Sequence, residues 1–135
     1  MANVDDIPSI INHVSIGTNQ LEAASAFYDK VLATIGAGRK LVIPGLAVAY
    51  GKYFPEFWLN SPLNQQAAST GNGTHIAFLA RDRATVRAFY DAAIEAGGTS
   101  DGEPGLRPEY GPGYFGCFVR DLDGHKIEAN IIPEE

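Results

Sequence analysis

The chain has 135 residues, 45% hydrophobic and 19% charged, a globular balance on the scale of one domain or two small halves sharing a core. No apolar run approaches the roughly 18 residues of a membrane span, and the opening "MANVDDIPSI" lacks the basic start and apolar core of a signal peptide. A net charge of −6 with no basic cluster in sequence argues against nucleic acid or membrane as a partner, and the lone Cys117 excludes an internal disulfide framework and fits a reducing, cytoplasmic setting.

Residues 10–17 are short, apolar and partly β-branched, which predicts a strand. A helix follows over 21–35, with Leu21, Ala24, Phe27, Tyr28, Val31, Leu32 and Ile35 recurring at spacings of three and four. Asn19 is its expected N-cap, and Gly36 and Gly38 end it. Strands are expected at 40–43, 47–50 and 56–59, with "IPG" as a tight turn, and residues 60–72 form a polar loop. The pattern then starts again: a strand at 74–80, a helix over 82–96 capped by Asp82 and stopped by Gly97 and Gly98, and strands at 99–103, 114–120 and 125–132. "GEPGLRPEYGPG" is a second long loop and "DLDG" a second tight turn, so Arg120, Asp121 and Asp123 read as solvated or turn-forming.

The second half is a copy of the first. At the offset of 62 residues that superposes His13 on His75, the triplet Phe27-Tyr28-Asp29 falls on Phe89-Tyr90-Asp91 and Gly36 on Gly98, without a gap. Two copies of β-α-β-β-β imply an α+β domain made by duplication, with module 1 over residues 8–60, a linker over 60–73 and module 2 over 74–132.

Strand alternation separates two faces. Ile10, Val14 and Ile16 oppose Ile11, His13 and Ser15; Ile76 and Phe78 oppose His75 and Ala77; Ile127, Ala129 and Ile131 oppose Lys126, Glu128 and Asn130. Each of three strands thus backs an apolar face with one potential metal ligand: His13, His75 or Glu128. A strand histidine taken singly is more often a hydrogen-bonded structural residue, and a lone carboxylate near a C-terminus is usually solvated. Together, on equivalent strands and one parity, two imidazoles and a carboxylate suit a divalent first-row ion. Trp58, with Phe57, reads either as core or as an aromatic wall for a flat ligand. Cys117, in the apolar "YFGCFV", reads as an inert buried thiol.

"INHVSIGT" followed by "FYDKVL", then "GNGTHIAFLARD" and "FVRDLDGHKIEAN", resemble over residues 8–132 the vicinal oxygen chelate superfamily, which groups glyoxalase I, bleomycin-resistance proteins and extradiol dioxygenases. The resemblance implies paired βαβββ modules in a curved, half-open, barrel-like mixed sheet with helices outside, and a homodimer. It implies His13, His75 and Glu128 as the first, third and fourth metal ligands. The second ligand position falls on Trp58, which cannot ligate, with Glu56 two residues away on the same face as a weak substitute. The metal, nickel, zinc, manganese or iron, would bind a small substrate through two neighbouring oxygens, with Glu128 also the candidate base and Trp58, Phe57 and Tyr114 lining the pocket. Three activities fit: a glyoxalase-like lyase or isomerase, an extradiol-type iron dioxygenase, and a metal-free binder like the bleomycin-resistance proteins. His125, after "DLDG", reads as a turn residue.

Overall fold

The computed structural model describes residues 4–6 and 8–131; the end of the strand expected at 125–132 therefore lies partly outside the described residues. After a 3-10 turn at Val4–Asp6, module 1 comprises β1 (Val14–Gly17), α1 (Leu21–Ala33), β2 (Gly38–Ile43), β3 (Ala47–Gly51) and β4 (Phe57–Asn60). Module 2 comprises β5 (His75–Leu79), α2 (Arg83–Glu95), β6 (Thr99–Leu106), a 3-10 turn at Pro108–Tyr110, β7 (Phe115–Arg120) and β8 (Lys126–Asn130). Each module is a four-stranded mixed sheet, ordered β1-β4-β3-β2 and β5-β8-β7-β6, in which the first and last strands run parallel and the others antiparallel. The duplication read from the sequence is therefore a duplication of topology, and the two sheets do not close into a barrel.

One core serves both modules. The apolar stripes of α1 and α2 are buried at Phe27, Tyr28, Val31, Leu32, Val86, Phe89 and Ala93, against the inward residues of the strands. Aromatic rings join the halves: Phe57 lies 4.9 Å from Tyr28 and 5.2 Å from Phe78, and Phe78 lies 5.9 Å from Phe89. Both helices stop at a glycine in the left-handed region, Gly36 at φ +79° and Gly97 at φ +105°. Asp82 caps α2 through a 2.7 Å bond from the Thr85 amide, as the sequence implied. Asn19 does not cap α1. Its side-chain oxygen accepts instead from the Ala68 amide at 2.8 Å, tying the inter-module linker to the end of β1.

Of the two readings for "DLDG", solvated or turn-forming, Asp121 takes the second. Asp121 is 6% exposed and not solvated. One of its oxygens accepts from the amides of Asp123 and His125, forming the turn, while the other accepts from the buried Tyr28 hydroxyl of α1 at 2.6 Å. Thr18 donates to Asp123 at 2.6 Å, and His125 Nε2 lies 2.7 Å from the Gly17 carbonyl. The last turn of module 2 therefore grips the first strand and helix of module 1, and this polar clasp fixes how the two sheets sit.

Candidate functional site

In each sheet one face packs under a helix and the other carries no helix. Directly paired strand residues point to the same side, so the helix-free face of module 2 can be read from its register. Ala77 pairs with Glu128 and Glu128 with Phe118; His75 pairs with Lys126 and Lys126 with Arg120. The intervening residues Ile127, Ala129, Cys117 and Val119 are fully buried beneath α2. Cys117 is indeed enclosed, and burial pushes its thiol up to about 11, so it remains protonated and inert.

Glu128 is the hub of this face. It is only 2% exposed, and every contact orients it. Its Oε1 lies 3.2 Å from His75 Nε2; its Oε2 accepts from the Tyr114 hydroxyl and, at 2.9 Å, from Asn130 Nδ2, which also donates to Tyr114 at 2.8 Å. Partial burial and the bond to Glu128 push the Tyr114 phenol up from its ordinary value, so Tyr114 stays a donor to the carboxylate. His75 is half-exposed, with its ring facing the open side. The structure thus unites His75, Glu128 and Tyr114, and it adds Asn130. That residue shares the parity of Glu128 two positions on, which was its signal in the sequence.

Module 1 presents a different half. Ser15 pairs with Trp58 and Trp58 with Ala49; Gly17 pairs with Asn60 and Asn60 with Ala47. Trp58 is partly exposed, its indole donates to the Pro55 carbonyl at 3.3 Å, and its ring lies 6.0 Å from that of His13. His13 itself precedes β1 and is exposed, held by Asn12 at 2.7 Å. A groove of 790 Å³ opens beside Trp58 beneath the linker, with Asn60 and Ser15, themselves hydrogen-bonded, on its floor and Leu46 and Leu63 on its rim. Of the two readings given for Trp58 and Phe57, the core one holds for Phe57. Alternation sends it to the opposite side, where it is 2% exposed among the core aromatics. Its edge only backs a second cavity of 530 Å³ between the modules, whose wall includes Glu56 and His75. The Glu56 carboxylate accepts from the Lys52 amide at 3.4 Å, across the bend at residues 52–54.

The three expected ligands do not meet within one chain. His75 and Glu128 are adjacent, but His13 lies just before β1, beside Trp58, and among the described residues no three His, Cys, Asp or Glu side chains form a group able to hold an ion. A single chain therefore does not fit a metal by itself; it presents the His75–Glu128 pair on one face and His13 beside Trp58 on another. His125, committed to the Gly17 carbonyl, belongs to neither.

Two-module topology and a polar open face on each sheet define a class, and the comparisons agree with it. A sequence model described as the Glyoxalase/Bleomycin resistance protein/Dioxygenase superfamily matches residues 10–129. The chain belongs to that superfamily. It is 35% identical to a glyoxalase/bleomycin resistance protein from Albidiferax ferrireducens, over 93% of this chain and 100% of that one, with a TM-score of 0.82. It also resembles in fold a lactoylglutathione lyase from Agrobacterium tumefaciens (22% identity, 92% and 94% covered, TM-score 0.66) and a glyoxalase-related enzyme from Fulvimarina pelagi (20%, 93% and 89%, 0.71). No curated protein matches. No helix among the described residues is long and apolar enough to cross a membrane.

Proposed function

We propose that the protein is a glyoxalase-like, metal-dependent enzyme of lyase or isomerase type, and that its site forms between two copies of the chain in a homodimer. The observation that carries this reading is the His75–Glu128 pair, an imidazole and an oriented, nearly buried carboxylate side by side on an open face. With His13 of a second copy they make a two-histidine, one-carboxylate set suited to nickel, zinc, manganese or iron. The ion, when bound, would polarise a substrate held through two neighbouring oxygens. The chain's own residues hold and orient: Tyr114 and Asn130 aim the Glu128 carboxylate, and Trp58 walls the cavity against water. Glu128 is also the group placed to take a proton from the substrate carbon.

The need for a second copy rests on surface chemistry. All of β2 is exposed, including Leu41, Val42 and Ile43, and Leu46 and Leu63 continue the apolar surface around the Trp58 groove. An uncovered apolar edge strand is a template for pairing with another chain. Protein prepared without chelators is expected to elute as a dimer carrying about one divalent ion per chain, and His75→Ala is expected to lose the ion while remaining dimeric. Absence of metal in the parent, even after reconstitution with each of the four ions, would overturn the reading. That result would favour metal-free capture of a flat small molecule, for which Trp58 in the place of a ligand is the specific support. The dioxygenase reading is weaker, because His125 sits in the module junction and no third histidine stands on the open faces to act as acid or base.

A further inference from the structure

The groove beside Trp58 has no charged residue in its lining, although the chain as a whole carries a net charge of −6. Its 790 Å³ falls within the roughly 300–1,000 Å³ of sites that hold small organic ligands. The open face of module 1 forms one wall and the linker the other. Gly17 lets the two lie close, because a Cβ there would stand 3.1 Å from Ala68 Cβ and 3.6 Å from Pro62 Cγ.

This stretch of linker is tied at both ends. The Ser61 amide donates to the Leu46 carbonyl at 2.9 Å, and the Ala68 amide to Asn19 at 2.8 Å. Between them the chain turns back at Gln65, whose amide donates to the Pro62 carbonyl at 3.0 Å. Gln65, at φ +60°, is the one non-glycine in the left-handed region among the described residues. The turn leaves Leu63 on the rim, 97% exposed, an apolar side chain standing in water beside an apolar groove.

The floor restricts what can lie there. The Trp58 indole N–H is already bonded to the Pro55 carbonyl, so the residue offers the groove an apolar ring surface in a fixed place. Ser15, the direct cross-strand neighbour of Trp58, accepts from Asn60 Nδ2. Neither side chain has another hydrogen-bond partner among the described residues. The pair therefore keeps a hydroxyl donor, an amide N–H and the Asn60 carbonyl oxygen, donors beside an acceptor. Nothing in the lining offsets the desolvation of a charged ligand of either sign.

We propose that this groove binds an uncharged, planar aromatic ring carrying an amide-type group: the ring lies against Trp58, the amide meets Ser15 and Asn60, and Leu63 of the linker closes over it. The inference extends the part given to Trp58 in the function proposed above and names a ligand class. It requires no ion, because every contact belongs to module 1 and the linker.

Trp58 is the only tryptophan of the chain, so isotope-labelled protein gives a single indole N–H resonance that reports this site alone. Titration with naphthamide, methyl naphthoate and naphthoate, without added metal, tests the assignment. Naphthamide is expected to move the resonance and to bind about ten times more tightly than naphthoate, which brings an unpaired charge, with the uncharged but donor-free ester between them. Leu63→Ser, at a side chain too exposed to support the fold, is expected to weaken naphthamide about fivefold. Equal affinity for amide and carboxylate would overturn the ligand class, and an unchanged amide affinity in Leu63→Ser would overturn closure by the linker. A resonance that no probe moves would overturn the site, and one that moves only with protein concentration would assign the groove to the second copy instead. Bound metal is measured on the same protein: metal with an unmoved resonance overturns this inference alone, and a moved resonance with no metal overturns the metal-dependent reading alone.

Discussion

Glu128→Gln is expected to lower metal affinity by about a hundredfold or more while leaving the fold intact. Glutamine keeps the shape and an acceptor oxygen for Tyr114 but gives up the anionic charge that the cation requires. Glu128 is 2% exposed and touches His75, Tyr114 and Asn130, so the isosteric change limits packing loss. Competition with a chelating dye would measure the affinity, and a thermal melt would confirm the fold. An unchanged affinity would remove Glu128 from the ligand set and with it the proposed role of the module 2 face.

The largest effect on stability is expected at the clasp. Asp121→Ala should cost about 3 kcal/mol, read from urea unfolding as a lower midpoint at constant slope. The substitution strands the Tyr28 hydroxyl, which is fully buried, and frees the amides of Asp123 and His125. Tyr28→Phe should cost less, about 1–2 kcal/mol, since it leaves the turn bonds in place. The pair also makes a pH prediction. Burial, then the charge of Asp121, pushes the Tyr28 phenol well above its usual value of 10.0. The folded state therefore holds that proton more tightly than the unfolded state, and the stability it supplies is complete below pH 10.0 and declines as pH rises beyond it. Tyr28→Phe should flatten this alkaline decline. An equally steep decline in the variant would place its origin elsewhere, Tyr50 and Tyr114 being further phenols raised by burial.

What the sequence disclosed, and what it withheld, divides along the range of the interactions. The repeat of His13, Phe27-Tyr28-Asp29 and Gly36 at one offset carried both modules, because a duplicated topology keeps its helix and strand positions in step. Alternation placed His75, Glu128 and Asn130 on one face, and Asp82 announced its cap three residues before Thr85. These are local rules acting over a few residues. Asn19 failed as a cap because a long-range partner, the Ala68 amide, claimed its side chain. Asp121 was hidden for the same reason: its decisive contact, Tyr28, is distant in the chain. Bulges in the β6–β7 ladder carry β6 on to Leu106, through what looked like a loop, and this is how Arg107 reaches the Phe118 ring. The cations gathered at that ring, Arg107 and Lys126, are scattered in sequence, so no basic cluster was visible. That His13 and the His75–Glu128 pair belong to separate modules' faces is likewise a matter of how modules dock, which no periodicity encodes.

Complementation shows whether each site joins module 1 of one chain to module 2 of another. His13→Ala and Glu128→Ala chains, each unable to hold metal alone, would be unfolded together, mixed in equal amounts, refolded and analysed for bound ion. A shared site predicts recovery of about a quarter of the parental metal, since half the dimers are mixed and each of those regains one intact site of two. Recovery of none, from a mixture shown to exchange subunits, would mean that each chain builds its site alone and that no site is shared.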